Sequence, residues 1–157
     1  MQEALKLNIT TNNEFSNKII GLIEKSKKDI VQVINSQMVM TYWNVGKRIV
    51  EQEQAGKEHA QYGKKLLAAL SDELTKEYGN GYSERNLRYF RKFYQYFPDK
   101  EIWNACVPNL NWTQFRSLLR VSDENARIWY MNEAAKEGWS SRTLDRNIST
   151  QYYNRLL

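Results

Sequence analysis

The sequence contains very little cysteine, histidine or proline. Among 157 residues there is one cysteine, one histidine and two prolines. The lone Cys106 has no second thiol with which to form an internal disulfide, and the lone His59 cannot belong to a histidine cluster. These scarcities exclude a zinc site built from cysteine and histidine, and they favour a reducing, cytoplasmic location. Because there are also only seven glycines, few positions interrupt helices, and long helices are expected.

Long hydrophobic runs are absent as well. No stretch approaches the roughly 18 apolar residues of a membrane span, and the first residues lack the apolar segment of a signal peptide. We therefore expect neither a membrane partner nor secretion.

Motifs for catalysis are equally scarce. There is no G-x-x-x-x-G-K-[ST] loop, and Gly79-Asn80-Gly81 is too short to hold a phosphate. Pro98-Asp99-Lys100-Glu101 superficially resembles part of a nuclease motif, but no apolar strand with a following Glu-x-Lys accompanies it. We predict no catalytic residues, no metal, no cofactor and no enzyme activity for this chain.

Apolar residues at spacings of three and four dominate the first third of the chain. They predict a helix over residues 13–54, after a polar, flexible tail over residues 1–12. Since this helix is unusually long, we expect either a kink near Asn35–Ser36 or a helix that protrudes and pairs.

Shorter helices are predicted in the remainder. They cover roughly residues 60–78, 83–97, 101–106, 111–120, 122–137 and 140–152. The predicted N-caps are Ser83, Ser122 and Ser140, and the predicted helix ends are Gly79-Asn80-Gly81 and Gly138. No strand is predicted. The expected fold is all-α: one domain over residues 13–157, with a long N-terminal helix and two helix-turn-helix-like units, in subunits of about 13–97 and 98–157.

Positive charge is unevenly distributed along the chain. The formal net charge is +5, and nine of the ten arginines lie after residue 80, whereas ten of the thirteen lysines lie before it. Arginine presents a planar fork of donors that suits phosphate and base edges, while dispersed lysines usually only solvate a helix. The second half is therefore the more promising place for a nucleic-acid contact.

The helix predicted after Ser83 has two contrasting faces. Its apolar face carries Leu87, Phe90, Phe93, Tyr94 and Phe97. The opposite face carries Arg85, Arg88, Arg91, Lys92 and Gln95, flanked by Asn86 and Tyr89. Arginine pairs with guanine edges and asparagine with adenine, and both also contact phosphate. We predict that Arg85, Asn86, Arg88, Arg91 and Lys92 bind DNA. The alternative is a solvated amphipathic helix that only packs on its aromatic side.

A seven-residue pattern occurs twice. Residues 81–87 and 138–144 both follow Gly–aromatic–Ser–x–Arg–x–Leu. In each, the glycine is expected to close one helix, the aromatic residue to contact the core and the serine to cap the next helix. If the repeat is structural, Arg142 and Arg146 form a second basic face. The alternative is a coincidence among common capping residues.

Several motifs resemble, in order, those of a known bacterial family. They are Tyr42–Ile49, with the pattern Tyr-Trp-x-x-Gly-x-x-Ile; Tyr62-Gly63 followed by Leu66, Leu70 and Leu74; Gly81–Tyr94; Leu110–Thr113 with Leu118-Leu119; Trp129-Tyr130; and Gly138-Trp139-Ser140. Over about residues 15–155 the chain resembles the N-terminal domain of the YhcG-like proteins. It departs from the family pattern at Phe90, where methionine is usual, which is a change within the core.

The resemblance implies a helical, helix-turn-helix-like region joined to a C-terminal PD-(D/E)XK nuclease domain. It therefore implies a DNA-targeting role, with the catalytic carboxylates beyond Leu157. Another class of function stays open. The helix over residues 13–54 could form a homodimer, or it could dock a nuclease domain or another partner subunit. The sequence also leaves RNA open as an alternative to DNA.

Overall fold

The computed structural model describes residues 13–56 and 62–157, so the predicted tail over residues 1–12 and the lone His59 lie outside the described residues. The helices are α1 (Asn13–Ala55), α2 (Tyr62–Tyr78), α3 (Glu84–Tyr96), α4 (Lys100–Asn104), α5 (Trp112–Leu118), α6 (Glu124–Glu137), α7 (Ser141–Ser149) and α8 (Tyr152–Leu156), with a 3₁₀ turn at Asn80–Tyr82 between α2 and α3. The described residues contain no strand, which confirms the all-α prediction.

The chain divides into two compact units within α1. The first unit ends at Ile34, and the second runs from Asn35 to Leu157. The boundary falls beside Asn35–Ser36, where the sequence predicted a kink, and the kink itself stays a prediction. In the first unit, the described residues form the N-terminal half of α1. The second unit contains the rest of α1 and all the shorter helices.

The core of the second unit is built around the apolar face of α3. Leu87, Phe90, Phe93 and Phe97 are almost completely buried, as predicted. The ring of Phe93 lies 5.2 Å from those of Trp103 and Phe115, measured between centroids. Such tilted contacts between aromatic rings add to the free energy of burial. A cluster of aromatic residues thus holds α3 against α4 and α5.

The C-terminal half of α1 packs very closely on α3. Gly46 is buried, and a Cβ atom built on it would overlap the backbone carbonyl of Phe90. On one side of this contact, Tyr42 stacks on the Phe90 ring with centroids 4.2 Å apart. On the other, the Trp43 indole donates a hydrogen bond of 2.8 Å to the Phe97 carbonyl. Glycine is needed here because the two backbones meet.

A buried arginine joins the start of α6 to the end of α3. Arg127 is only 5% exposed, and its guanidinium donates to the carbonyls of Val121 and Tyr96, at 2.8 and 3.3 Å. It also lies 4.3 Å from the centroid of the Tyr96 ring. Burial lowers the pKa of Arg127 below its usual value, because desolvation disfavours the charged form. Carbonyls and an aromatic face replace part of the lost hydration, while the buried Nε atom has no hydrogen-bond partner among the described residues.

The predicted helix ends are largely confirmed. Ser83 and Ser140 are N-caps, and Gly138 ends α6 in the left-handed conformation, with φ of 65°. Gly79, with φ of 87°, is the glycine of the first turn that needs a positive φ, so the prediction that Gly81 closes a helix is wrong. Gly81 instead lies in the 3₁₀ turn.

Two predicted boundaries in the C-terminal part are wrong. The N-cap of α6 is Asp123, whose carboxylate accepts from the Asn125 amide at 3.0 Å, so Ser122 lies one residue before the cap. The last predicted helix is two helices, because Gln151 adopts φ of 56° and interrupts the pattern before α8. Asparagine, aspartate and serine all cap helices, and the sequence did not distinguish neighbouring candidates.

We predict that Gly46→Ala lowers the free energy of unfolding by about 1–3 kcal/mol, because the added methyl group forces α1 away from α3. The matched control is Gly21→Ala, at a helical glycine whose Cβ would meet nothing within 4 Å. There alanine is expected to be neutral or stabilising. Chemical denaturation of both variants measures the difference, and equal stabilities would contradict the close-packing argument.

Candidate nucleic-acid interface

The two copies of the seven-residue pattern share a serine N-cap, although Gly138 ends α6 with a positive φ whereas Gly81 lies in the 3₁₀ turn. In both, the serine hydroxyl accepts a hydrogen bond from the backbone amide three residues later: Ser83 from Asn86 at 3.2 Å, and Ser140 from Thr143 at 3.1 Å. The leucines that end the two patterns are fully buried. Arg85 and Arg142 therefore occupy corresponding positions in the first turns of α3 and α7, and both are exposed.

The basic residues of α3 do not form the uniform exposed face that was predicted. Arg85 and Arg88 are exposed, and Arg88 lies 3.6 Å from Glu84, one turn earlier on the same helix. Such an exposed pair restrains the side chain only weakly. These two arginines are available to a ligand.

Arg91 interrupts the face because it is paired with α1. Its guanidinium donates to both carboxylate oxygens of Glu53, at 3.2 and 3.1 Å, and both side chains are 25% exposed. The pair is therefore neutralised and partly desolvated. The prediction of a continuous solvent-facing basic row from residue 85 to residue 92 is wrong at this residue, because the tertiary contact with α1 supplies a carboxylate.

Two further predicted residues also have intramolecular contacts. Lys92 is half-buried, and its ammonium lies 4.9 Å from the centroid of the Tyr96 ring. The Asn86 side chain donates to the Gly81 carbonyl at 3.1 Å, so it stabilises the turn before α3. Its amide has a structural use even without a ligand.

The structure brings Arg85 together with residues that the sequence analysis did not select. A cleft of about 360 Å³ lies between α3, α5 and α7. It is lined by Arg85, Tyr89, Thr113, Arg116, Ser117, Arg120 and Asp145. Three helices thus contribute to one polar, arginine-rich cleft. The positive surface is therefore not confined to one face of α3.

Two of these arginines converge on one tyrosine. The Arg85 guanidinium donates to the Tyr89 hydroxyl at 3.4 Å, and the Arg116 guanidinium lies 4.6 Å from the centroid of the Tyr89 ring. The hydrogen bond from Arg85 lowers the pKa of Tyr89 below its usual 10.0; the two positive charges add to this effect, and burial opposes it. The two guanidinium groups therefore place positive charge beside the phenol.

The negative charge in the cleft belongs to an ion pair. Asp145 lies 2.7 Å from Arg120, and this exposed pair spans α7 and the segment after α5. Among the residues that the structure describes, Arg85 and Arg116 have no carboxylate within ion-pair distance. Two unneutralised guanidinium groups beside hydroxyl donors form a surface suited to an anion with several oxygens.

Arg142 and Arg146 extend the positive surface along α7. Both are exposed, and Arg142 lies three residues before Asp145, which makes the two neighbours on the helix surface. Arg142 is therefore next to the rim of the cleft. Arg146 is farther around α7, on the side away from the buried Leu144.

Arg116 and Arg120 lie outside the most basic helix and were not predicted from the sequence. A weak signal was present: Thr113, Arg116 and Arg120 recur at spacings of three and four, opposite the buried Phe115 and Leu118. On a seven-residue helix this pattern is too short to stand out from chance.

Other chemistry finds no support in the described residues. They contain no group of three side chains that could hold a metal ion. Cys106 is buried, and burial raises the pKa of its thiol, which disfavours the reactive thiolate. No helix in residues 13–56 or 62–157 has both the length and the apolar character for a membrane crossing.

The fold defines this chain as an all-α domain with an arginine-rich cleft, and comparison with known families agrees with the motifs in its sequence. Residues 18–155 match the DUF1016 N-terminal domain, so the chain belongs to that family. The predicted resemblance to the YhcG-like N-terminal domain is thereby confirmed.

A curated relative carries the family's name. The chain is 34% identical, over 168 aligned positions, to an Escherichia coli (strain K12) protein named "Putative nuclease YhcG". The match covers 88% of this chain and 45% of the relative, so the chain spans less than half the length of that protein. No solved structure is significantly similar to the chain.

The tyrosine in the cleft provides a test of the geometry. We predict that Arg85→Gln raises the pKa of Tyr89 toward 10, because the phenolate loses a hydrogen-bond donor and a nearby positive charge. Ultraviolet titration, with a Tyr89→Phe protein subtracted in each background, isolates this one phenol. Arg88→Gln is the matched control, since it removes the same charge from the same helix. An equal effect of both substitutions would contradict the contact.

Proposed function

We propose that this chain is a DNA-binding domain that targets a nuclease to duplex DNA. The arginine cluster of the cleft is the observation that carries the proposal: Arg85 and Arg116 are open, come from different helices and converge on Tyr89 within about 5 Å. Phosphate oxygens accept bidentate hydrogen bonds from guanidinium groups, and the phosphates of duplex DNA recur along a continuous backbone.

The surrounding residues support a backbone contact longer than one phosphate. Arg88 is exposed on α3, and Arg142 and Arg146 are exposed on α7. Together with the cleft they form a positive surface shared by α3, α5 and α7. Contacts of this type orient a protein on DNA without reading its sequence. We propose that Asn86 and Lys92 contribute less, since both have intramolecular contacts.

The capped turns support two helix-turn-helix-like units, α2–α3 and α6–α7. In each, a glycine with positive φ ends the first helix, and a serine caps the second. In such units the second helix enters the major groove with its N-terminal residues toward the bases. Arg85 and Arg142 are in the first turns of α3 and α7, which is where a base contact would occur.

The nuclease activity itself is proposed for another part of the full-length protein. The relative is named a nuclease, and this chain spans 45% of its length. The described residues contain no group of three histidine, cysteine, aspartate or glutamate side chains that could hold a metal ion. We propose that a C-terminal domain in full-length relatives carries the catalytic carboxylates, and that the domain described above positions it on DNA.

A double substitution in the cleft tests DNA binding. We expect Arg85→Gln with Arg116→Gln to weaken binding to a fluorescent duplex about tenfold at moderate salt. We also expect the slope of log affinity against log salt to become shallower by about 2, because two phosphate contacts are lost. Fluorescence anisotropy across a salt series measures both quantities.

The control is a second double variant with the same net charge as the cleft double variant. Arg48→Gln with Arg155→Gln removes two exposed arginines that lie outside the cleft. If the DNA affinity falls equally in both double variants, the binding depends on the net charge of the protein and not on the position of the arginines in the cleft. Absence of duplex binding by the unmodified chain, or tighter binding to duplex RNA, would refute the proposed function.

The two remaining arginines of α3 allow a finer comparison. Arg88→Ala with Arg91→Ala is expected to weaken binding, with most of the loss caused by Arg88, because Glu53 already neutralises Arg91. Arg91→Ala alone should instead reduce stability by about 1 kcal/mol, since the Glu53 carboxylate loses its partner. Anisotropy and thermal denaturation of the single variants separate the two effects. A larger loss of affinity for Arg91→Ala would contradict this division.

A further inference from the structure

The first unit exposes a broad apolar face on α1. Nine large apolar side chains between residues 15 and 34 are 42–63% exposed. They are Phe15, Ile19, Ile20, Leu22, Ile23, Ile30, Val31, Val33 and Ile34. At 100° per residue they fall within about half of the helix circumference. Monomeric proteins rarely leave a contiguous apolar surface of this size uncovered.

A regular row runs along the middle of this face. The row consists of Ile20, Ile23, Lys27, Ile30 and Ile34. Their alternating spacing of three and four places them at the contact line of paired helices. Lys27 occupies the central position of the same row. A single lysine at such a position reduces the stability of a helix pair and restricts its register.

Six of the seven charged residues between residues 13 and 34 form ion pairs within the helix. Lys18 lies 3.7 Å from Glu14, Lys25 lies 2.8 Å from Asp29, and Lys27 lies 3.8 Å from Glu24. Four lysines and three acidic residues make residues 13–34 nearly neutral. Helices that lie on membrane surfaces carry a strongly basic polar face, so the charge pattern favours a protein partner over a lipid surface.

We propose that this face of α1 pairs with the same face of a second copy of the chain. The nine side chains expose on the order of 900 Å² of surface, comparable with the ~800 Å² that each partner buries in a standard interface. Near-neutral charge lets two identical helices approach without strong repulsion, and the row of isoleucines is complementary to itself. The Lys27 side chain reaches the edge of the pair, where its ammonium remains hydrated.

Light scattering after gel filtration, at several protein concentrations, measures the association directly. The expected mass of the unmodified chain is twice 18.6 kDa. Ile23→Glu with Ile30→Glu should give the monomer mass, because two charges enter the contact line of each helix. Both residues are at least half exposed, so the helix should persist, and circular dichroism verifies that it does.

Two further variants complete the test. One is a matched control for the added charges, and the other is expected to strengthen the dimer. Asn17→Glu with Gly21→Glu adds the same two charges on the polar side of the same helix and should leave the dimer mass unchanged. Lys27→Ile completes the apolar row and should hold the dimer together at about tenfold lower concentration.

The proposal is overturned by any of three results. They are a monomeric unmodified chain at the highest concentration, a dimer that survives the Ile23→Glu and Ile30→Glu substitutions, and a Lys27→Ile variant that associates less strongly. A monomer that co-sediments with anionic vesicles would identify a lipid surface as the occupant and would equally refute self-pairing.

Discussion

The contact between α1 and α3 at Gly46 and Phe90 is the constraint on which the architecture of the second unit depends. Without a Cβ atom at residue 46, the α1 backbone approaches the Phe90 carbonyl directly. This contact brings Tyr42 onto the Phe90 ring and Trp43 within hydrogen-bond distance of the Phe97 carbonyl. The aromatic side of α3 is thereby fixed toward the core, and the side that carries Arg85 and Arg88 is left facing solvent.

Arginine serves three different purposes in this molecule, and its environment decides among them. Arg127 is buried and bonded to carbonyls, so it is a structural link between α6 and α3. Arg91 is bound to Glu53, and its charge is neutralised. Among the residues that the structure describes, Arg85 and Arg116 meet a phenol and no carboxylate, which leaves their charge available. Only guanidinium groups of the third kind can attract a phosphate with full strength, because the others have already exchanged water for protein partners.

The arginine-rich cleft and the exposed apolar face lie in separate units and differ in physical character. The cleft in the second unit offers hydrogen-bond donors to an anion, whereas the exposed face in the first unit offers apolar area to another helix. A protein that combines both would present two cationic clefts in each dimer. Two linked sites raise the overall affinity for a long ligand such as DNA without any new contact, provided that both reach the ligand together.

The sequence by itself determined the helical class, the N-caps at Ser83 and Ser140, the buried face of α3 and the family, because these features depend on local spacing and on residue type. The choice of Asp123 over Ser122, and the break at Gln151, were not determined locally, since adjacent residues have similar propensities. Only the tertiary structure decided that Glu53 neutralises Arg91 and that Arg116 joins Arg85 around Tyr89. Those contacts join residues 38 and 27 positions apart in the chain, and helix periodicity carries no information about which surfaces of different helices meet.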